Sequence, residues 1–339
     1  MKIRVVTGYP FSIAHGGVEV QAASTVAAIR ASTDFDIEFL DFMKKEESFD
    51  IVHFFGNPSF FSEYIKFLPP RVKVVVSAVH GVRVDTWAKR TGKRVLQSMA
   101  SRLGEHTTYS ALSAIFRRAD HVFALNSVAR DFIVSRYGLK HAQNISVLAN
   151  GVADEFFSET PAKQVRTVLF TGSIIRRKNP VALLHAALSS DLKNYAFDFV
   201  GAGLNGEEAY FHEFQELIKT APNCRYLGRF NAGSADLAAL FHRSEIFALP
   251  SEEETQSIAL LEAIAARAKP VLLDRAYARQ APFHLSTLSA SASPRDLIAA
   301  IRQAHEDPQA AAGAGAMAQN VKTWSAIADE VVTVYKTLA

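Results

Sequence analysis

Residues Ala248–Leu273 read ALPSEEETQSIALLEAIAARAKPVLL. An apolar run, Ile246–Leu249, ends at Pro250-Ser251, and three carboxylates follow at Glu252, Glu253 and Glu254. A helical pattern then carries Glu262 before Lys269-Pro270 opens a second apolar run, Val271–Leu273. In physical terms this is strand, loop, helix, strand. Open α/β sheets bind ligands just beyond the carboxyl ends of their strands. A helix that starts there offers spare backbone N–H groups and the positive end of its dipole to an anion. The stretch therefore reads as an anion site whose excess of acid calls for cations from elsewhere in the chain.

The rest of the composition limits what that site belongs to. At 339 residues the chain exceeds one ordinary core, so two domains are expected. Hydrophobic residues make up 49% and charged residues 21%, as in an ordinary soluble enzyme. A net charge of +3 demands no nucleic-acid partner, and no nucleic-acid motif is present. Cys224 is the single cysteine, which excludes an internal disulfide and suits a reducing cytoplasm. No apolar run is long enough to span a membrane. MKIRVVTGYP reads as a first strand rather than a signal peptide. The expectation is a soluble, cytoplasmic protein.

Outward from the opening stretch, the same strand–loop–helix unit recurs. Ile3–Thr7 is a strand, and Gly16-Gly17 opens the helical pattern Val18–Ala31. Such a glycine loop presents backbone amides to a phosphate or sugar, and it serves equally as a tight turn. Asp50–Phe55 and Lys73–Val79 are apolar enough to be buried strands, and the second runs directly into His80-Gly81. Further strands are expected at Asp36–Leu40, His121–Leu125 and Asn144–Leu148, and the polar stretch Glu155–Gln164 is the natural domain boundary. The second half begins with strand Val168–Thr171, then Gly172, Ser173 and the basic run Arg176-Arg177-Lys178. These cations stand at the carboxyl end of a strand in the same domain as Glu254, where they can neutralise an anion. Strands alternating with helices in both halves predict an α/β protein of two doubly wound parallel sheets.

Three other patterns need weighing. Gly201–Gly206 fits G-x-G-x-x-G, the dinucleotide fingerprint. However, it follows the domain's second strand, lacks the acid at the end of the next one, and opens a helix with Glu207-Glu208. Asp34-Phe35-Asp36 could hold a divalent metal but precedes its strand, and no histidine or cysteine cluster has metal spacing, so no metal site is expected. Residues 83–118 hold eight basic side chains against Asp85 and Glu105, with apolar residues at near-helical spacing. Such a segment is either a solvated helix with its stripe in the core or a face for an anionic membrane or acceptor.

Glu254 and Glu262 match the E-x7-E pattern of retaining GT-B glycosyltransferases, and the whole stretch through Lys269-Pro270-Val271 resembles glycosyltransferase family 4, also called glycosyl transferases group 1. The likeness is ordered along the chain. Gly16-Gly17 resembles the family's glycine loop, His80 its acceptor-side histidine and Asn150-Gly151-Val152 the segment before its linker. Thr171-Gly172 through Lys178 resembles its phosphate-contacting loop, Val200–Gly203 its glycine turn, and Thr323-Trp324 the start of its terminal helix.

The resemblance implies a GT-B fold, two Rossmann-like domains facing each other across a cleft. Residues 1–158 would bind the acceptor and 159–322 the nucleotide-sugar, with a helix over 323–339 crossing back onto the first domain. It implies metal-independent hexosyl transfer with retention, from a UDP- or GDP-sugar to a saccharide or lipid-linked acceptor. Bacterial polysaccharide assembly is the expected setting, with peripheral contact at the inner membrane face through 83–118 and no cofactor besides the donor. Glu254 would contact the transferred sugar, Lys178 the diphosphate, and His80 the sugar and acceptor. Gly16, Gly17, Gly172, Arg176, Arg177, Gly203, Gln256, Ser257, Ile258 and Glu262 would complete the donor site, Glu262 on the ribose.

Two departures stand out. Ser173 replaces a frequent arginine, and Arg176 or Arg177 is the candidate replacement. Glu254-Thr255-Gln256-Ser257 stands where the family often has Glu-Gly-Phe-Gly, a bulkier and more polar loop, which bears on donor choice. The missing arginine also leaves a non-catalytic GT-B protein that binds a nucleotide or partner as the alternative, with an NAD(P)-dependent oxidoreductase on Gly201–Gly206 as the third reading.

Overall fold

The computed structural model describes residues 1–11, 16–44, 48–79, 108–137, 144–158 and 162–339. It divides into two compact units, Met1–Asn150 with Trp324–Ala339, and Gly151–Thr323. The break falls ahead of residue 158 because Val152 and Phe156 are fully buried in the core of the second unit. His80 and most of the basic segment, 83–107, lie outside the described residues.

The first unit is built from β1 (Lys2–Thr7), α1 (Gly17–Ser32), β2 (Asp36–Phe39), β3 (Ile51–Gly56), α2 (Tyr64–Phe67), β4 (Lys73–Ala78), α3 (Thr108–Arg118), β5 (His121–Ala124), α4 (Ser127–Tyr137) and β6 (Ile145–Val147). Its strands form one parallel sheet in the order β2-β1-β3-β4-β5-β6. The order reverses between β1, which Gly16-Gly17 follow in the chain, and β3, which ends at Gly56. Every residue of β3 is buried, as expected of a strand covered on both faces.

The C-terminal helix, Trp324–Leu338, packs on α1 within this unit. Tyr335 anchors it: its hydroxyl lies 2.6 Å from His53 Nδ1, and His53 Nε2 lies 2.9 Å from Ser77 Oγ. Burial, with a smaller contribution from His121, pushes the His53 pKa down to about 3, so its ring stays neutral there.

The second unit comprises β7 (Gln164–Thr171), α5 (Pro180–Ala187), β8 (Ala196–Val200), α6 (Glu208–Ile218), β9 (Cys224–Tyr226), α7 (Ala235–Arg243), β10 (Ser244–Leu249), α8 (Ile258–Ala265), β11 (Lys269–Leu273), β12 (Thr287–Ser289), α9 (Pro294–Glu306) and α10 (Pro308–Ala318). Its parallel sheet runs β12-β11-β10-β7-β8-β9. Strands β7 and β10 are therefore neighbours, with Val168 opposite Ile246 and Leu169 opposite Phe247. The winding reverses between them, and such a switch point is where doubly wound sheets open a crevice for a ligand. Val152 bridges Thr323, and its N–H donates to Lys322 O at 3.0 Å, so the second unit's two ends lie side by side. Among the described residues no helix is long and apolar enough to cross a membrane.

Candidate donor site at the switch point of the second sheet

The loops that leave β7 and β10 form one structure. After Gly172 the chain makes a short turn, Arg176–Lys178, closed by Asn179 in the left-handed conformation (φ 53°). Asparagine tolerates that backbone better than most residues. Its side-chain amide donates to Pro250 O at 2.9 Å and to Glu252 Oε1 at 3.3 Å, while Glu252 N–H donates to Arg177 O at 2.9 Å. Each loop is thus held by the other's backbone.

Glu254 is the centre of the assembly. Its Oε1 lies 3.1 Å from Lys178 Nζ and 3.3 Å from Arg177 Nη1, and it accepts from Ser251 Oγ at 2.9 Å. The side chains of Glu254 and Lys178 are 9% and 12% exposed, whereas Arg177 is 41% exposed. A carboxylate so withdrawn from water needs such partners, and these also satisfy the requirement for cations beside the acidic loop. Arg177 also donates to Glu253 O. A cavity of about 230 Å³ opens between Arg177, Glu253, Glu254 and Thr255.

The three adjacent acids do not share one task. Glu252 pairs with Arg275 at 2.7 Å, so it fastens the loop to the segment after β11 rather than standing ready for a ligand hydroxyl. Tyr277 adds a second tie by donating to Ser251 O at 3.0 Å. The two arginines also diverge. The Arg176 guanidinium lies 5.0 Å from the centre of the Tyr210 ring, while Arg177 reaches Glu254. Tyr210 in turn accepts the Val181 N–H at 3.2 Å, close to the start of α5.

Helix α8 starts beside this loop. Ser257 is its cap, accepting the Leu260 N–H on Oγ at 3.3 Å, so that hydroxyl is already committed to the helix. Gln256, Ser257 and Ile258 stand at the helix entry, where backbone amides and the dipole favour an anion. Glu262, one turn further along, is 6% exposed and has no side-chain hydrogen bond or ion pair among the described residues. Burial alone pushes its carboxyl up to about 8.

The glycines of this region have distinct duties. At Gly172 the backbone has φ +147°, and an added Cβ would lie 3.1 Å from Lys178 Nζ; the lysine crosses the glycine on its way to Glu254. Gly201 has the same φ, and a Cβ there would fall 1.8 Å from Gly172 O. The start of the G-x-G-x-x-G hexapeptide is therefore a close crossing of two backbones, Gly201 against Gly172. A Cβ on Gly203 would meet the Phe211 ring at 2.7 Å.

Gly172, Arg177, Lys178 and Glu254 thus come together, with Gln256, Ser257, Ile258 and Glu262 on the adjoining helix and its entry. Arg176 is diverted to Tyr210, and Gly203 packs under Phe211. Gly16 and Gly17 belong to the first unit, where Gly16 O accepts the Val20 N–H at 3.2 Å to begin α1. His80 lies outside the described residues. The sequence reading missed Asn179, Ser251 and Tyr277, which hold the site together. It also missed Thr171, whose buried hydroxyl, at the end of β7, has no hydrogen-bond partner among the described residues. Asn179 did carry a signal, since Asn-Pro before a helix favours a turn.

Comparison with known proteins agrees with this architecture. The family model described as "Glycosyl transferases group 1" matches residues 152–322, and that described as "Glycosyltransferase Family 4" matches residues 15–156. Sucrose-phosphate synthase from Thermosynechococcus elongatus is 14% identical with a TM-score of 0.71, covering 99% of this chain and 98% of that one. HepE of Anabaena, solved in complex with UDP-glucose, is 15% identical with a TM-score of 0.70, covering 99% of each chain. A glycosyltransferase from Rickettsia africae is 15% identical with a TM-score of 0.67, covering 99% and 98%. No curated protein matches the sequence. The two family matches between them take in nearly the whole chain, and the solved structures share its fold over its full length: the chain belongs to the glycosyl transferases group 1 of glycosyltransferase family 4, and its fold is GT-B.

Proposed function

We propose that the chain transfers a sugar, with retention and without a metal, from a nucleotide-diphosphate-sugar to a hydroxyl of a saccharide or lipid-linked acceptor. The observation that carries this reading is Glu254, nine-tenths buried, held by two cations and a serine at the switch point of the second sheet. In this reading Lys178 and Arg177 turn to the diphosphate and the amides at the entry of α8 assist them. Glu254 accepts from hydroxyls of the transferred sugar, and Glu262 from those of the ribose. The bond between anomeric carbon and diphosphate oxygen breaks, and the acceptor oxygen joins the same face of the sugar. The acceptor's proton passes to the departing diphosphate, so no nucleophile from the protein is required. The UDP-glucose complex of HepE supports a UDP-sugar as the first donor to try. Polysaccharide assembly at the cytoplasmic face of a bacterial membrane fits such an acceptor, and the basic composition of residues 83–118 supports contact with anionic lipid there.

The test is a panel of UDP- and GDP-sugars incubated with purified protein, following release of the nucleotide. Slow hydrolysis of at least one donor is expected, abolished in Glu254→Ala and Lys178→Ala variants that keep their melting point within a few degrees. Equal turnover in both variants contradicts the site. Donor binding with no turnover on any acceptor points to a non-catalytic binding protein instead.

A further inference from the structure

Tyr9 and Phe60 meet at the switch point of the first sheet. Strands β1 and β3 are parallel neighbours, and the strand order β2-β1-β3-β4 reverses between them. Residues 8–11 leave the carboxyl end of β1 and residues 57–61 that of β3. Both segments therefore stand where a doubly wound sheet opens a crevice for a ligand. The two rings lie 4.9 Å apart at 65°, edge to face, and remain 52% and 43% exposed.

The local structure holds both rings in place. A Cβ added to Gly8 would fall 2.8 Å from Phe60 Cδ2, so the Phe60 ring rests on backbone that only a glycine leaves bare. Thr7 Oγ1 donates to Tyr9 O at 2.9 Å, which closes the turn after β1. Asn57 Oδ1 accepts the Ser59 N–H at 3.1 Å and the Ser59 hydroxyl at 3.0 Å, pinning the short turn Pro58–Phe61 that carries Phe60. Phe61 anchors that turn in the core, stacked on Phe54 at 4.5 Å. Polar groups are left over beside the rings. The Asn57 amide N–H groups and the Tyr9 hydroxyl have no hydrogen-bond partner among the described residues. Neither segment contains a charged residue.

We propose that Tyr9 and Phe60 form a platform for the acceptor, and that the part of the acceptor they hold is an uncharged pyranose ring. The proposal rests on the transferase reading above and narrows it to a saccharide acceptor. A pyranose has a face of C–H bonds and a rim of hydroxyls. The C–H face packs on an aromatic ring, and the rim takes fixed donors such as the Asn57 amide and the Tyr9 hydroxyl. A phosphate or carboxylate at this place needs a cation, which neither segment supplies. An acyl chain there would cover the Asn57 amide without replacing its hydrogen bonds, at a cost that a sugar avoids. The position suits an acceptor as well. A Cβ on Gly56 would lie 3.2 Å from Val18 Cγ1, so the start of α1, just after Gly16-Gly17, reaches the end of β3. The glycine pair and the ring pair thus share one end of this sheet.

The experiment uses the full chain without donor and follows binding by saturation-transfer NMR. The probes are the methyl α-glycosides of glucose, galactose and mannose, then maltose and cellobiose, with glucose 6-phosphate as the charged comparison. Tyr9→Ala, Phe60→Ala and Tyr9→Phe variants are run alongside, with melting to confirm their folds. At least one uncharged sugar is expected to bind the wild type saturably. Tyr9→Phe, which keeps the ring, should bind it within about threefold, and each alanine variant at least about fivefold more weakly. Should Phe60→Ala fail to fold, Tyr9→Ala, whose ring is the more exposed, decides alone. Absence of binding by every uncharged sugar overturns the proposal, and so does equal binding by a folded Tyr9→Ala. Binding of glucose 6-phosphate alone overturns it too, since recognition then rests on charge. A separate titration of wild type with UDP keeps the two readings apart. Ring-dependent sugar binding without UDP binding supports the platform and defeats the donor site, whereas UDP binding without sugar binding does the reverse.

Discussion

Lys178 Nζ and Glu254 Oε1 lie 3.1 Å apart although 76 positions separate the two residues in the chain, and the adjacency of β7 and β10 is what joins them. Both side chains are largely withdrawn from water, so each relies on the other for its charge balance. In the proposed donor site, Glu254 holds the same cations that a diphosphate would need, so donor binding would exchange partners within one cluster rather than rearrange the fold.

Arg177 and Arg176 separate experimentally. Arg177 shares Glu254 with Lys178, while Arg176 lies over Tyr210. Arg177→Ala is expected to weaken UDP-sugar binding about tenfold, or ~1.4 kcal/mol, by calorimetry. Arg176→Ala should change affinity less than about threefold and instead lower stability by about 0.5–1 kcal/mol. Equal effects of both on affinity would show that the stacked arginine also reaches the donor.

Glu262 should impose a pH dependence on stability. Burial raises its carboxyl from an ordinary value near 4.5 to about 8 in the folded chain. Between those values the folded state binds more protons than the unfolded state, so this contribution to stability falls as pH rises and is flat above about 8. A glutamine there does not titrate. In urea titrations the stability of Glu262→Gln relative to wild type should grow from near zero at about pH 5 to the order of 3–4 kcal/mol at about pH 8. A constant difference across that range would show that Glu262 ionises normally.

Gly201 and Gly206 share one sequence pattern but not one fate. At Gly201 an added Cβ would sit 1.8 Å from Gly172 O, whereas at Gly206 it meets open space and only the φ of +86° resists substitution. Gly201→Ala should cost at least ~3 kcal/mol or prevent folding, and Gly206→Ala about 1–2 kcal/mol, in the same denaturation assay. Comparable losses at the two positions would argue against a backbone crossing at Gly201.

Much of this was legible before the structure, for reasons that can be located. The strand, loop and helix of Ile246–Ala265 follow from an apolar run, Pro250-Ser251 and a helical period, all of them local. The need for cations beside three acids follows from charge alone. Sheet order is not local, so no pattern in either stretch discloses that β7 neighbours β10. The fates of Glu252 and Arg176 depend on Arg275 and Tyr210, which local spacing does not connect to them. The hexapeptide at Gly201 shows the converse. A glycine needed for a backbone crossing and one needed for a pyrophosphate look the same in one dimension, and only the rejected context of the motif separated them. Burial among the aromatics of the first unit was unreadable for a further reason: Phe54 and Phe61 are buried while Phe60 and Phe67 are exposed, within one short stretch of similar composition.

The most direct measurement of the central claim, that the loops after β7 and β10 are two halves of one donor site, is calorimetric titration with UDP. It compares wild type with Lys178→Ala, after confirming that the variant melts within a few degrees of the parent. The account predicts that wild type binds and that the variant binds at least about tenfold more weakly, because the diphosphate loses its buried cation. A folded Lys178→Ala variant that binds UDP as tightly as wild type would contradict it.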